Sequence, residues 1–224
     1  MKNLLIILLI LPCFFFPAHA QQGNYVRGYA LTTQGDTLKG LIQWKKNFKC
    51  KELIQFKKSL SDSPQPLSLE ELVLLRNQDE NKVIFVVEME MQFEYVDPID
   101  LSLQYNDSTK KLHVPLKPLY DGDSLSLYVY HEKTDYFFLR HGNILEQLLK
   151  EYRFLTDHER LVHSNRILPA YVTYDTWRVQ LYSVYDFNSD KKLYNLSLDA
   201  KFEDYNLTRL VTKMDQNLSK LKIK

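Results

Sequence analysis

The chain has 224 residues, 29 lysines and arginines against 28 aspartates and glutamates, and an apolar fraction of 45%. Near-neutrality argues against nucleic acid, which is met by a clustered basic surface, and against electrostatic docking on anionic lipid. The apolar fraction excludes extended disorder, and the length suffices for one sizeable core or two small ones.

Met1-Lys2-Asn3 is a short positive start, Leu4 to Phe16 an apolar run, and Ala18 and Ala20 place small residues where a signal peptidase reads. This is the pattern of a secretory signal, with cleavage expected between Ala20 and Gln21 and an exported product, periplasmic or extracellular. The run is shorter than the roughly 20 apolar residues a spanning helix needs, and Pro12 and Pro17 interrupt it, so no transmembrane segment is expected in the mature chain. Pro12 before Cys13 does not fit a lipid attachment site, which takes a small residue there. Removing residues 1–20 takes away Lys2 as the only charged residue and leaves Cys50 as the only cysteine, which excludes an internal disulfide. A lone cysteine is expected to act as a small buried hydrophobe; the neighbouring Lys49 and Lys51 would lower its pKa.

Tyr25 to Thr33 and Thr37 to Trp44, joined at Gln34-Gly35-Asp36, read as a β-hairpin, and Lys49 to Lys58 as a third strand. Ser59 to Ser68 reads as a loop, and Ser68 with Glu71 as a capping box opening a helical turn into Leu72 to Leu75. From Lys82 to Asp97 apolar residues recur at every second position, opposite Glu88, Glu90, Gln92 and Glu94, which predicts a strand with one wet face. Asp121-Gly122-Asp123 is a turn before two further strands, Leu125 to His131 and Tyr136 to Arg140.

After Gly142 the pattern changes. Asn143 and Glu146 fit a helix start, and Ile144, Leu145, Leu148, Leu149, Tyr152 and Leu155 follow helical spacing. Thr156 with Glu159 predicts a second short helix. Tyr174 to Tyr185 fits helix and strand, with helix preferred; Leu207, Leu210, Val211, Met214, Leu218 and Leu221 form one helical stripe. The expectation is therefore α+β: signal peptide 1–20, an antiparallel β-rich region 21–141 and a mainly helical region 142–224, the latter two able to form one continuous domain.

Val26-Arg27-Gly28-Tyr29, then Gly35-Asp36-Thr37-Leu38-Lys39-Gly40, Ser68 to Leu72, Gly122 to Tyr130, Tyr136 to Leu139 and Gly142 to Leu149 carry a resemblance to an uncharacterised family of exported Bacteroidota proteins. It spans most of the mature chain outside residues 150–173. It implies compartment and fold, and no activity, cofactor or site residue comes with it.

Chemistry is sparse. His158 and His163 are five apart, which on a helix separates them by about 140°. The zinc-protease helix needs four, so neither is read as a metal ligand. No nucleophile elbow, phosphate loop or dinucleotide turn occurs, and no catalytic residue, metal ligand or cofactor is assigned. Asp97 and Asp100 read as turn formers rather than an acid–base pair. The 15 tyrosines cluster at Tyr120, Tyr128, Tyr130 and Tyr136, and at Tyr171, Tyr174, Tyr182 and Tyr185. Packing is the expected role; an exposed carbohydrate or peptide platform is the alternative. Asp36-Thr37-Leu38 and Asp123-Ser124-Leu125 resemble the acceptor pattern for O-glycosylation in Bacteroidota, which marks Thr37 and Ser124 as glycan acceptors. The reading is an exported cell-envelope protein that binds an envelope protein or glycan without catalysis. A hydrolase with a dispersed site and a structural envelope protein are the alternatives.

Overall fold

A computed structural model describes residues 24–93, 109–154 and 171–222. Within them the chain is α+β. Ten antiparallel strands form one sheet: β1 (Tyr25–Thr32), β2 (Thr37–Gln43), β3 (Leu53–Lys57), β4 (Gln65–Ser68), β5 (Leu72–Asn77), β6 (Lys82–Gln92), β7 (Thr109–Asp121), β8 (Leu125–His131), β9 (Asp135–His141) and β10 (Ile144–Leu148). Their spatial order is β10-β9-β8-β7-β6-β5-β1-β2-β3-β4. A second hairpin, β11 (Glu151–Phe154) with β12 (Tyr171–Tyr174), leads to helices α1 (Thr176–Val184), α2 (Lys191–Asp199) and α3 (Asp204–Lys222).

The long strand β7 turns the sheet. Thr109 to Leu116 pairs with β6, whereas Lys117 to Asp121 pairs with β8. Pro115 and Pro118 lack the N–H needed for regular ladders on both sides, and the register shifts between Pro118 and Tyr120. Three cores result. Leu125, Leu127 and Val129 of β8 face the helices, packing with Trp177, Leu207, Leu210, Val211 and Met214. Tyr128 and Tyr130, on the other face of β8, pack with Met91, Val114, Leu116 and Phe138. The curl of β1 to β6 encloses Ala30, Ile42, Ile54, Leu72, Leu75 and Ile84. Strand β8 is therefore buried on both faces. Each large side chain there contributes about 2 kcal/mol by leaving water.

The hairpins β1–β2 and β8–β9 form where strand-forming runs and turn residues predict them, and the strand β6 where alternation does. Helices α1 and α3 form as well, although Leu221 stays exposed. Three expectations change. The Ser68 capping box is present, but it closes a single 3-10 turn, Leu69–Glu71. Leu72 to Asn77 then pairs with both β1 and β6 instead of continuing as helix. Gln65–Ser68, expected as loop, is the short edge strand β4, whose Pro66 makes it a poor template for a further strand. The predicted helix from Ile144 is β10 and β11. Gly142 takes φ +56° and His141 pairs with Ile144, so Gly142-Asn143 is a two-residue hairpin loop with glycine first. Pairing with β9 outweighs helical spacing.

Side-chain amides complete the open edges of β6 and β10. Gln147 donates to the Gln92 carbonyl at 2.8 Å and accepts from the Gln92 amide at 2.9 Å. Gln180 of α1 accepts from the Leu149 amide and donates to the Gln147 carbonyl, both at 2.8 Å. Both glutamines replace a neighbouring strand, as buried backbone polar groups require.

Candidate functional site

Among the described residues, those that stood out in sequence do not converge. Ala20, Gln21, Asp97, Asp100, His158 and His163 lie outside the described residues. Thr37 is exposed at the first position of β2. Ser124 Oγ, in contrast, is buried without a hydrogen-bond partner. It sits in a tight cluster around Asp215 of α3, out of reach of a modifying enzyme while the protein is folded. Tyr128, Tyr130 and Tyr136 are at most 6% exposed, so these members of the central cluster are core and offer no platform.

Cys50 is half-buried in a turn rather than on a strand, and its amide donates to Tyr130 Oη at 3.1 Å. Burial pushes its thiol above the ordinary value, aided by Glu132, and outweighs the hydrogen bond with Tyr130 and the charge of Lys49. Lys49 is engaged elsewhere, with its Nζ on the carbonyls of His131 and Glu132 at 3.0 and 2.9 Å.

The Asp215 cluster is structural. Its carboxylate accepts from the amides of Ser124 and Leu125 at 2.7 and 2.8 Å and from Tyr120 Oη at 2.8 Å. A Cβ on Gly122 would lie 2.3 Å from Asp215 Oδ2. The α3 carboxylate thus pins the β7–β8 turn. Burial alone would raise the Asp215 carboxyl. The hydroxyl of Tyr120 and the amides of Ser124, Leu125 and Asp123 together hold it below its ordinary value. Burial, then Asp215 as partner and neighbouring charge, push Tyr120 up to about 12.

The feature with binding character lies elsewhere, where β6 and β7 part. Pairing between them ends at Phe85 and Leu116. Lys82 to Ile84 continues along β5, and Lys117 and Pro118 swing to β8. The wedge between them, closed by Asn24 to Val26 and by Trp44, is a groove of about 710 Å³, within the usual range for small-ligand sites of about 300–1,000 Å³. Val26, Val83, Ile84 and Pro118 give it an apolar lining. Trp44 is half-buried and stands edge-on to Phe48 at 5.4 Å, and the Tyr25 ring carries Lys57 Nζ at 4.8 Å.

The rim is prebuilt. Asn77, fully buried, accepts from the amides of Asp79 and Glu80 at 2.9 and 3.1 Å. Asp79 accepts from the amide and Nε of Arg27, each at 3.0 Å. Arg76 donates to Asn81 Oδ1 at 2.7 Å, which leaves the Asn81 amide nitrogen to donate toward a ligand. Lys46, Lys82 and Lys117 line the groove with Glu80, which pairs with Lys82. Among the described residues, no carboxylate pairs with Lys46 or Lys117.

A charge asymmetry hidden in the whole-chain sum surrounds Lys46 in sequence. Residues 24–58 carry eight basic residues (Arg27, Lys39, Lys45, Lys46, Lys49, Lys51, Lys57, Lys58) and two acidic ones (Asp36, Glu52). Glu52 is already paired with Lys45. Counting charge in windows would have found this excess. No sequence signal brings Lys117 to it.

Such a lining has the chemistry to hold an anion. Among the described residues, no group of three His, Cys, Asp or Glu side chains is placed to hold a metal ion, and no helix is long and apolar enough to cross a membrane. No protein-family model, curated protein or solved structure matches the chain.

Proposed function

We propose that the protein is exported to the cell envelope, periplasmic or extracellular, and binds an envelope component there without catalysis. The secretory pattern at residues 1–20 supports the address. The single observation that carries the binding role is the groove at the β6–β7 divergence, preformed by Asn77, Asp79 and Asn81 and lined by an aromatic ring and uncompensated ammonium groups. Preorganisation of this kind lowers the entropy lost on binding.

Fractionation of the native host tests the address: a product beginning at Gln21 in the envelope or medium is expected, and cytoplasmic retention with an uncut N-terminus overturns it. A photo-crosslinking residue tests the binding role. At Asn24, exposed on the groove rim, it should capture a glycan or protein of the envelope. At Val179, exposed on α1, it should not. Equal labelling at both positions sinks the binding role.

A further inference from the structure

We propose that the groove between β6 and β7 is a binding site for an acidic saccharide, a sugar chain bearing a carboxylate or phosphate. The proposal rests on the binding role above and names the ligand class. Three observations carry it. Lys46 and Lys117 point to an anion: both line the groove and neither pairs with a carboxylate among the described residues. Lys117 is half-buried, so its attraction for an acid group brought beside it is less screened than a surface lysine's. Trp44, half-buried on the groove wall, points to a ring rather than a bare ion. An aromatic face packs against the C–H face of a pyranose, and Val83 and Pro118 extend that apolar surface. Asn81, with its oxygen taken by Arg76, keeps a fixed N–H pair for sugar hydroxyls.

An acidic peptide would satisfy the lysines and the Asn81 amide, but its flexible backbone offers Trp44 no rigid C–H face like that of a pyranose. It serves as the competing probe.

The experiment titrates the full mature protein with trigalacturonate, glucose 6-phosphate, maltotriose, triglutamate and inorganic phosphate. Tryptophan emission reports on the groove, because Trp177 is wholly buried and Trp44 is half-exposed. Saturable change with trigalacturonate or the sugar phosphate, at least tenfold tighter than maltotriose and weakening with added salt, is expected. Lys117→Gln and Lys46→Gln should each weaken it about tenfold, the size of one lost charged hydrogen bond. Trp44→Phe, followed by calorimetry, should weaken the acidic and the neutral sugar alike. Lys46 is exposed, so its variant keeps the test valid if Lys117→Gln fails to fold.

Equal affinity for maltotriose overturns the acid assignment. Tighter binding of triglutamate, or of phosphate alone, overturns the sugar assignment. In both cases the binding role stands. If no saccharide binds while crosslinking at Asn24 remains specific, only the ligand class falls. If that crosslinking also matches Val179, the binding role falls with it.

Discussion

Replacing Asp215 with alanine removes one acceptor from three donors at once. The amides of Ser124 and Leu125 and the hydroxyl of Tyr120 all end on this carboxylate, within 2.7–2.8 Å. Asp215 is 4% exposed and Leu125 is 1% exposed, so water replaces the lost acceptor poorly. A buried donor left unsatisfied costs about 1–3 kcal/mol. Allowing partial rescue at Ser124 and Tyr120, Asp215→Ala should lose about 3–5 kcal/mol, which for about 200 residues is a fall of roughly 8–15 °C in Tm. Asp215→Asn keeps an oxygen for both amides and should lose only about 1–2 kcal/mol.

The pH dependence separates charge from shape. The folded carboxyl lies below its ordinary value of 3.8. Its contribution is therefore fully present above that value and is lost as pH falls through the folded pKa. Urea melts of wild type and Asp215→Asn should differ by a constant amount from about pH 5 to about pH 8, with the gap narrowing below about pH 3.8. A loss below about 1 kcal/mol for Asp215→Ala, or a gap unchanged down to about pH 2.5, would refute the reasoning.

Other outcomes follow from the same geometry. Gly28 faces Gly40 across the first hairpin, and a Cβ on it would come within 2.1 Å of the Arg76 carbonyl oxygen. Gly28→Ala must therefore displace β5 and should cost about 2–4 kcal/mol, read by thermal melting. Gln180→Leu leaves the Gln147 carbonyl and Leu149 amide without their side-chain partner; it should cost about 2 kcal/mol and speed hydrogen exchange at Leu149 selectively. With its thiol pushed up by burial, Cys50 should react with a disulfide reagent near pH 8 at least about tenfold more slowly in the native protein than in urea. Equal rates would show that the thiol is exposed. Replacing Thr37 should abolish any glycan found on the mature protein, whereas Ser124→Ala should leave its mass unchanged apart from one oxygen, because the Ser124 hydroxyl is buried.

What the sequence determined by itself was local. Alternation specifies a strand only where one face is buried and the other wet, and the outer half of β6 meets that condition; the β1–β2 and β8–β9 hairpins are marked instead by strand-forming runs on either side of short polar turns. The Ser68–Glu71 box is likewise complete within four residues, and α3 carries its own apolar stripe. These are contacts between residues close in the chain, so residue pattern is enough to read them. The α+β order followed from the same local signals.

Tertiary structure decided the rest. Ile144 to Leu148 has helical spacing, yet β9 offers a ladder and Gly142 turns the chain onto it. Ser68 begins a helical turn, yet Leu72 finds partners on two sides. The tyrosines of β8 are core because the sheet bends at β7 and closes over them. Asp215 meets the Tyr120–Leu125 turn across about 90 residues, a proximity no window can show. The groove has the same origin. Its basic excess lies in residues 24–58 and could be counted, but Lys117 joins Trp44 only because β7 leaves β6 at Leu116. A divergence of strands belongs to the sheet as a whole, and no single segment of sequence carries it.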